Sequence, residues 1–279
     1  MTSPNQAQIE LWDGRVGEKW AALQASLDAM LVEVTVELTR RAGSVAGRRV
    51  LDIGCGAGET CLAWLAGGAE VTGIDVSGAM LAVAAKRIGG RAALIKADAA
   101  TWRSERPFDL AVSQFGLMFF DDPERAFAAI AADLRPSGRL LFVCWRAAAD
   151  NQWVSVPMQA IRDLLPPAAA PADPHAPGPF ALADRDRLRG LLARAGFADI
   201  AIEPFDCALF FASEGGVDAA VRLAMQVGPS GSALAGASPE TLTRAAERLQ
   251  AALTPHARED RVSLGGAVWM VEAVRPAAA

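Results

Sequence analysis

Three acidic residues stand where buried strands are expected to end, and a run of glycines follows the first of them. Asp52 lies in the apolar run 50–53, ahead of glycines at positions 54, 56 and 58. Asp75 ends a second apolar run, and Asp98 lies at the end of a third. Ligands of open α/β sheets bind beyond the carboxyl ends of the strands. We therefore expect these carboxylates and the glycine backbone to share one ligand site.

The glycine spacing is typical of a loop that lets a ligand lie directly on the backbone. Glycines have no β-carbon, and helix-forming residues follow from Glu59, so the loop leads into a helix N-terminus. A dinucleotide fingerprint needs glycine at position 59, because a pyrophosphate lies there. Glu59 would oppose that pyrophosphate with a carboxylate. The sequence therefore favours a nucleotide-type cofactor without a phosphate.

The pattern from Asp52 to Gly58, followed by acids at positions 75 and 98, resembles class I S-adenosylmethionine-dependent methyltransferases over about residues 45–145. This resemblance implies S-adenosylmethionine as the cofactor, with Asp75 accepting both ribose hydroxyls and Asp98 accepting the adenine amine. The thioether of Met80 is expected against the adenine face. The expected cofactor-binding residues are Asp52, Gly54, Cys55, Gly56, Gly58, Asp75, Val76, Met80, Asp98, Ala99, Ser113, Gln114 and Trp20.

The end of the fourth expected strand should face the methyl group of the cofactor. Methyltransferases that act on amino groups of adenine or glutamine carry an Asn- or Asp-Pro-Pro-Tyr signature there. This chain has Ser113-Gln114-Phe115-Gly116 instead, and no tyrosine at all. We therefore predict a small, largely apolar acceptor, methylated on O, N or C. The expected acceptor pocket consists of Phe115, Met118, Phe119 and Trp145.

Methyl transfer from a sulfonium is an in-line displacement, so positioning and a dry site matter more than an acid–base pair. If the acceptor must lose a proton, His175 is the candidate base, because imidazole titrates near neutrality. It lies in the proline-rich segment 166–179, whereas His256 is expected at the surface. The four cysteines lack Cys-x-x-Cys spacing, so buried thiols and no metal site are expected.

Alternating strands and helices predict an α/β fold with a doubly wound, seven-stranded, mostly parallel sheet of the Rossmann-like methyltransferase type. Residues 1–44 are expected to form an N-terminal helical segment that acts as a lid, with Trp20 and Gln24 over the cofactor. The core is expected at 45–212 and 261–279. A helical insertion at 213–260, before the last strand, is expected to form a second lid with a flexible joint at 228–232.

The composition of the chain limits the kinds of partner and the location that we expect. The net charge is −5, and Lys and Arg are dispersed among acids, which speaks against a nucleic-acid partner. No uncharged apolar run approaches the roughly 18 residues of a membrane span. The start of the sequence lacks the pattern of a signal peptide, so a cytoplasmic location is expected. The composition does not predict an oligomeric state.

Two other functions stay open. An RNA- or protein-modifying methyltransferase would need a basic surface beside the fourth-strand loop, where Asp121 and Asp122 stand instead. A regulatory protein could bind S-adenosylmethionine without turnover, and it would release no methyl group to any acceptor.

Overall fold

Near-continuous apolar runs in the first half of the chain form parallel strands that are covered on both faces, as such sequences require. The computed structural model describes residues 5–166 and 173–277. Its strands are β1 (Arg49–Ile53), β2 (Glu70–Asp75), β3 (Ala93–Lys96), β4 (Phe108–Gln114), β5 (Leu134–Trp145), β6 (Ala198–Ala212), β7 (Ala257–Arg258) and β8 (Arg261–Val274). Alternate residues of β1 enter two different cores, with Leu51 and Ile53 in one and Val50 in the other.

One sheet contains all these strands, in the order β3-β2-β1-β4-β5-β8-β6, with β7 paired to β8. The first five strands are parallel, and β8 runs antiparallel to both β5 and β6. This confirms the predicted mostly parallel, doubly wound sheet. The eighth strand is the two-residue β7, which the sequence did not predict. The strand order reverses between β1 and β4, which is where such sheets bind ligands.

Helices connect the strands and precede the first of them. They are α1 (Gln6–Asp13), α2 (Arg15–Ala22), α3 (Gln24–Met30), α4 (Val32–Ala42), α5 (Glu59–Ala66), α6 (Gly78–Ile88), α7 (Pro123–Asp133), α8 (Gln152–Ile161), α9 (Arg185–Arg194), α10 (Gly216–Ala224), α11 (Gly228–Ala233) and α12 (Pro239–Leu253). Ser77 caps α6 and Asp122 caps α7, each accepting a backbone N–H from three residues on. Serine and aspartate are among the residue types that favour this position.

The N-terminal apolar stripe does not form one helix. It bends at Gly14, Leu23 and Leu31, which separate α1, α2, α3 and α4. The backbone hydrogen bonds continue through the last two bends, with Leu23 N–H on Lys19 O and Leu31 N–H on Leu27 O, both at 3.0 Å. The segment therefore wraps around the core as a bent helix, which buries Leu27 and Met30 against it.

The insertion is packed into the protein rather than loosely attached to it. The expected flexible joint at 228–232 is wrong, because those residues form α11. A β-carbon on Gly231 would lie 2.4 Å from the carbonyl carbon of Gln226, so the turn into α11 is tightly packed. Ala220, Leu249 and Leu253 are fully buried in the same core as the sheet. Within the described residues, no helix has the length and hydrophobicity to cross a bilayer.

Candidate functional site

A cavity lies at the carboxyl ends of β1, β2 and β4, where the strand order reverses. Most of the residues that the sequence singled out line it together, although they come from six separate parts of the chain. These are Trp20, Gly54, Cys55, Gly56, Asp75, Val76, Met80, Asp98, Ala99, Gln114, Phe115, Met118, Phe119 and Trp145.

The glycine loop after β1 is held in conformations that only glycine adopts without strain. Gly54 has φ +66°, and a β-carbon there would lie 2.9 Å from the Cα of Gly116. Gly56 has φ +53°, and a β-carbon there would lie 2.7 Å from the terminal methyl of Met80. Gly54 thus permits two backbones to approach, while Gly56 makes room for the Met80 side chain at the cavity wall.

Asp75 ties this loop to the start of α6. One carboxylate oxygen accepts the N–H of Gly56 and the other accepts the N–H of Ser77, each at 2.8 Å. Burial raises the pKa of Asp75, although these backbone donors oppose the rise. A carboxylate oxygen accepts more than one hydrogen bond. The fixed carboxylate can therefore accept further donors from a ligand in the cavity.

Asp98 is linked to the start of the chain through Asn5, a contact that the sequence did not predict. The Asn5 amide donates to both Asp98 carboxylate oxygens, at 3.2 and 3.1 Å. Asn5 also exchanges two hydrogen bonds with Asp121, at 2.9 and 2.7 Å. The N–H of Ala100 completes the Asp98 site at 2.9 Å. Asn5 therefore connects α1 to both loops that border this end of the cavity.

Asp52 lies beneath the glycine loop and does not line the cavity. It is fully buried and accepts hydrogen bonds from the Trp64 indole at 3.2 Å and the Cys61 thiol at 3.4 Å. Burial raises its pKa to about 6. The prediction that Asp52 contacts the cofactor is therefore corrected: its carboxylate anchors α5 against β1 and supports the loop from below.

Gly58 and Ser113 also support the site from outside the cavity. Gly58 has φ +86° at the start of α5 and packs against Ala84 of α6. The Ser113 hydroxyl donates to Ile53 O at 2.7 Å and accepts the N–H of Gly116 at 3.1 Å. It therefore joins the two loops that meet at Gly54. Neither residue lines the cavity, so the prediction that Gly58 and Ser113 contact the cofactor is corrected, as it is for Asp52.

His175 is not part of the cavity. Its side chain is exposed, and its backbone N–H donates to the Asp173 carboxylate at 2.9 Å. Of the proline-rich segment, residues 167–172 lie outside the described residues, and Pro179 lines the cavity. The prediction of His175 as a catalytic base is therefore corrected, because its imidazole lies in solvent rather than beside the expected acceptor.

Aromatic side chains dominate the opposite part of the cavity. Phe115 stacks on Trp145 with ring centroids 4.3 Å apart and planes 13° apart, and Trp145 contacts Trp153 at 4.7 Å. Phe115 itself has φ +64°, an uncommon value for a residue with a side chain. Trp12 packs its edge against Trp20 and Phe119, at 5.4 and 5.1 Å. The sequence did not indicate Trp153, because no local pattern shows that the start of α8 turns back toward the end of β5.

A polar cluster borders the glycine loop. Asp28 of α3 accepts from the Gln24 amide and from Arg87, which also donates to Glu59 at 2.5 Å and to Ala57 O at 2.8 Å. Burial raises the pKa of Asp28 to about 6, and the Gln24 hydrogen bond opposes the rise. Two carboxylates share one guanidinium, so this wall of the cavity is net negative.

The described residues contain no group of His, Cys, Asp and Glu side chains arranged to hold a metal ion.

Comparison with known proteins agrees with this geometry. Residues 50–138 match the family model of a methyltransferase domain. Demethylmenaquinone methyltransferase of Clavibacter sepedonicus is 32% identical over 143 residues, which cover 49% of this chain and 55% of that protein. Trans-aconitate 2-methyltransferase of Klebsiella pneumoniae is 31% identical over 163 residues, which cover 53% of this chain and 62% of that protein. The matches thus span little more than half the length of these relatives.

A solved structure extends the likeness over the whole fold. Haemonchus contortus phosphoethanolamine N-methyltransferase 2, in complex with S-adenosylmethionine, aligns with a TM-score of 0.58 and 17% identity, over 99% of this chain and 60% of that one. At this identity the likeness is one of fold. The family match agrees with what the glycine motif predicted: residues 50–138 are a methyltransferase domain, and over this part the chain is similar to S-adenosylmethionine-dependent methyltransferases of class I.

Proposed function

We propose that this protein transfers the methyl group of S-adenosylmethionine to a small, largely apolar acceptor. The observation that carries the proposal is a single cavity with two chemically different halves. One half has glycine backbone and the carboxylates Asp75 and Asp98, and the other has the rings of Phe115, Trp145 and Trp153. A polar donor and an apolar acceptor would therefore meet inside one enclosure.

The residues of the polar half fit the cofactor. Asp75 is fixed by two backbone donors and suits the ribose hydroxyls, and Asp98 suits the adenine amine. Two buried atoms in the wall, Trp12 Nε1 and Gln8 Oε1, find no hydrogen-bond partner within the described residues. A buried polar group without a partner costs about 1–3 kcal/mol. A ligand with both donors and acceptors, such as this cofactor, would relieve that cost.

When bound, S-adenosylmethionine supplies a methyl group already activated by its sulfonium sulfur. The protein must then orient the two reactants and exclude water. Trp12, Trp20 and Phe119 pack together over the cavity and would exclude water on the side of the N-terminal helices. Val227 and Gly228 border it from the insertion. We propose on this basis that residues 1–44 and 213–260 are the two walls that enclose the reactants.

The apolar half offers no side chain that could accept a proton. Its described residues are aromatic, aliphatic or glycine, and His175 lies outside it. The acceptor atom must therefore supply its own electron pair, as a neutral heteroatom, as an electron-rich carbon, or after losing its proton to water. The pH dependence of turnover should then follow the ionisation of the acceptor rather than that of an enzyme side chain.

The decisive experiment follows the methyl group. The purified protein is incubated with S-adenosylmethionine labelled in its methyl group and with an organic extract of small molecules, bulk RNA or denatured protein. We expect label in the organic fraction only, together with S-adenosylhomocysteine. Asp75→Ala serves as the inactive control. Label in RNA or protein would favour a macromolecular acceptor. Binding of the cofactor with no label in any fraction would favour a regulatory protein.

A further inference from the structure

Trp153 of α8 is held rigidly at the apolar end of the cavity. Its indole N–H donates to the side-chain oxygen of Asn151 at 3.0 Å, and the fully buried Asn151 also accepts the N–H of Ala267 at 2.8 Å. On another side, Gly228 packs so closely that a β-carbon there would lie 2.6 Å from Trp153 Cζ3. The ring is therefore fixed between β8 and the insertion, and it cannot swing away to admit a bulkier ligand.

The neighbouring rings continue this surface. Trp145 lies 4.7 Å from Trp153, and Phe115 stacks almost parallel on Trp145. Phe115 adopts a left-handed backbone conformation, which is strained for a residue with a side chain and tends to persist at functional sites. Three rings thus form one wall. Contacts between aromatic rings stabilise a complex beyond the effect of the area they bury, so such a wall favours a conjugated ring.

The charged side chains around the cavity also restrict which charge the acceptor can carry. Within the described residues, the charged side chains that line it are all acids: Asp28, Glu59, Asp75 and Asp98. The remaining residues, 1–4, 167–172 and 278–279, contain no Lys, Arg or His in their sequence. In the complex with S-adenosylhomocysteine, which lacks the sulfonium charge, an acceptor bearing a carboxylate or phosphate would therefore lose water without gaining a cationic side chain, which is costly.

We infer that the acceptor is a flat conjugated ring without a carboxylate, phosphate or sulfonate group, and that Trp153 is the residue that determines this specificity. The inference rests on the proposed function, because it assigns the apolar half of the cavity to the acceptor. By this inference the acceptor is not a tricarboxylate, because binding one would need cationic side chains in the apolar half of the cavity.

Binding of two matched probes tests the inference without requiring turnover. The probes are 2-naphthol and 3-hydroxy-2-naphthoate, which share a ring system and differ by one carboxylate. Calorimetry is done on the protein saturated with S-adenosylhomocysteine. We expect measurable binding of 2-naphthol and at least tenfold weaker binding of the carboxylated probe. Trp153→Leu should weaken 2-naphthol binding at least tenfold while leaving the affinity for S-adenosylhomocysteine unchanged.

Two further variants serve as controls for the Trp153→Leu substitution. Gly228→Ala retains the Trp153 ring but displaces it, so it should also weaken 2-naphthol binding. Trp102→Leu removes a partly buried tryptophan beside Phe108, outside the cavity, and should change neither ligand. Equal affinity for both probes, no binding of 2-naphthol, or unchanged binding in Trp153→Leu would overturn the inference alone. Failure of the wild-type protein to bind S-adenosylhomocysteine would overturn the proposed function as well.

Discussion

Replacement of Asp75 by alanine should separate the stability of the glycine loop from the affinity for the cofactor. In the folded protein each carboxylate oxygen accepts one backbone N–H, from Gly56 and from Ser77. The same carboxylate is the group that we expect to accept the two ribose hydroxyls. The substitution therefore removes four hydrogen bonds in the complex and two in the free protein.

The magnitudes follow from these contacts. In the free protein two backbone donors lose their partner, but water in the cavity can replace it, so we expect a loss of about 2 kcal/mol in the free energy of unfolding. In the complex the two hydroxyl contacts are charge-assisted and together contribute about 2–4 kcal/mol. The dissociation constant of S-adenosylhomocysteine should therefore rise by roughly 30- to 1,000-fold.

The assay pairs urea denaturation with calorimetric titration of S-adenosylhomocysteine. Asp109→Ala is the matched control. Asp109 also accepts a backbone N–H, from Arg49 at 2.7 Å, but it lies near the start of β4, at the end of the strands opposite the cavity. The control should lose comparable stability and bind the ligand normally. A dissociation constant within threefold of wild type for Asp75→Ala would refute the assignment of the ribose site.

Three further outcomes are expected. Because the folded protein raises the pKa of Asp52 from 3.8 to about 6, it binds that proton more tightly than the unfolded chain, and wild type loses stability as pH rises through this window. In urea denaturation, Asp52→Asn should therefore gain about 3 kcal/mol relative to wild type between pH 4 and pH 7; a constant difference would contradict this. Gly17→Ala should weaken S-adenosylhomocysteine binding about tenfold in the same titration, because its β-carbon would lie 2.2 Å from Ser77 Oγ, whereas Gly190→Ala, which meets only the flexible end of Arg194, should not. NAD should show no heat of binding in calorimetry, since Glu59 lines the loop where its pyrophosphate would lie. An NAD complex of micromolar affinity would disprove the conclusion that this loop excludes a pyrophosphate.

Local patterns were sufficient for the elements that build the sheet. Apolar runs and the glycines at positions 54, 56 and 58 indicated β1, the loop after it, and the strands that end near Asp75 and Asp98. These signals act within a few residues, so one sequence contains them in full. The acids at positions 75 and 98 could be assigned to the cavity for the same reason, because each follows a strand whose direction the fold dictates.

Contacts between distant segments could not be predicted in this way. Asn5 meets Asp98 across 93 residues, and Trp153 meets Gly228 through the packing of the insertion. The bends at Leu23 and Leu31 have no breaking residue, since they arise from wrapping around the core. Asp52 is different, because the period of two along β1 places its side chain on the face of Val50, away from the ligand. That signal was present in the sequence and was outweighed by the motif.

The contact between Asn5 and Asp98 has a kinetic consequence. The amide donates to the same carboxylate that we expect to recognise adenine, so the chain carries an internal competitor for its own cofactor. The Asn5 amide and the Ala100 N–H already occupy acceptor positions of this carboxylate, so we expect the adenine amine to weaken the Asn5 contact on entry and the amide to regain it as product leaves. This exchange would lower the equilibrium affinity and hasten release. Where product dissociation limits turnover, such competition raises the rate. We expect Asn5→Ala to lengthen the residence time of S-adenosylhomocysteine in stopped-flow measurements, and a shorter one would mean that Asn5 serves only to hold α1 against the loops of Asp98 and Asp121.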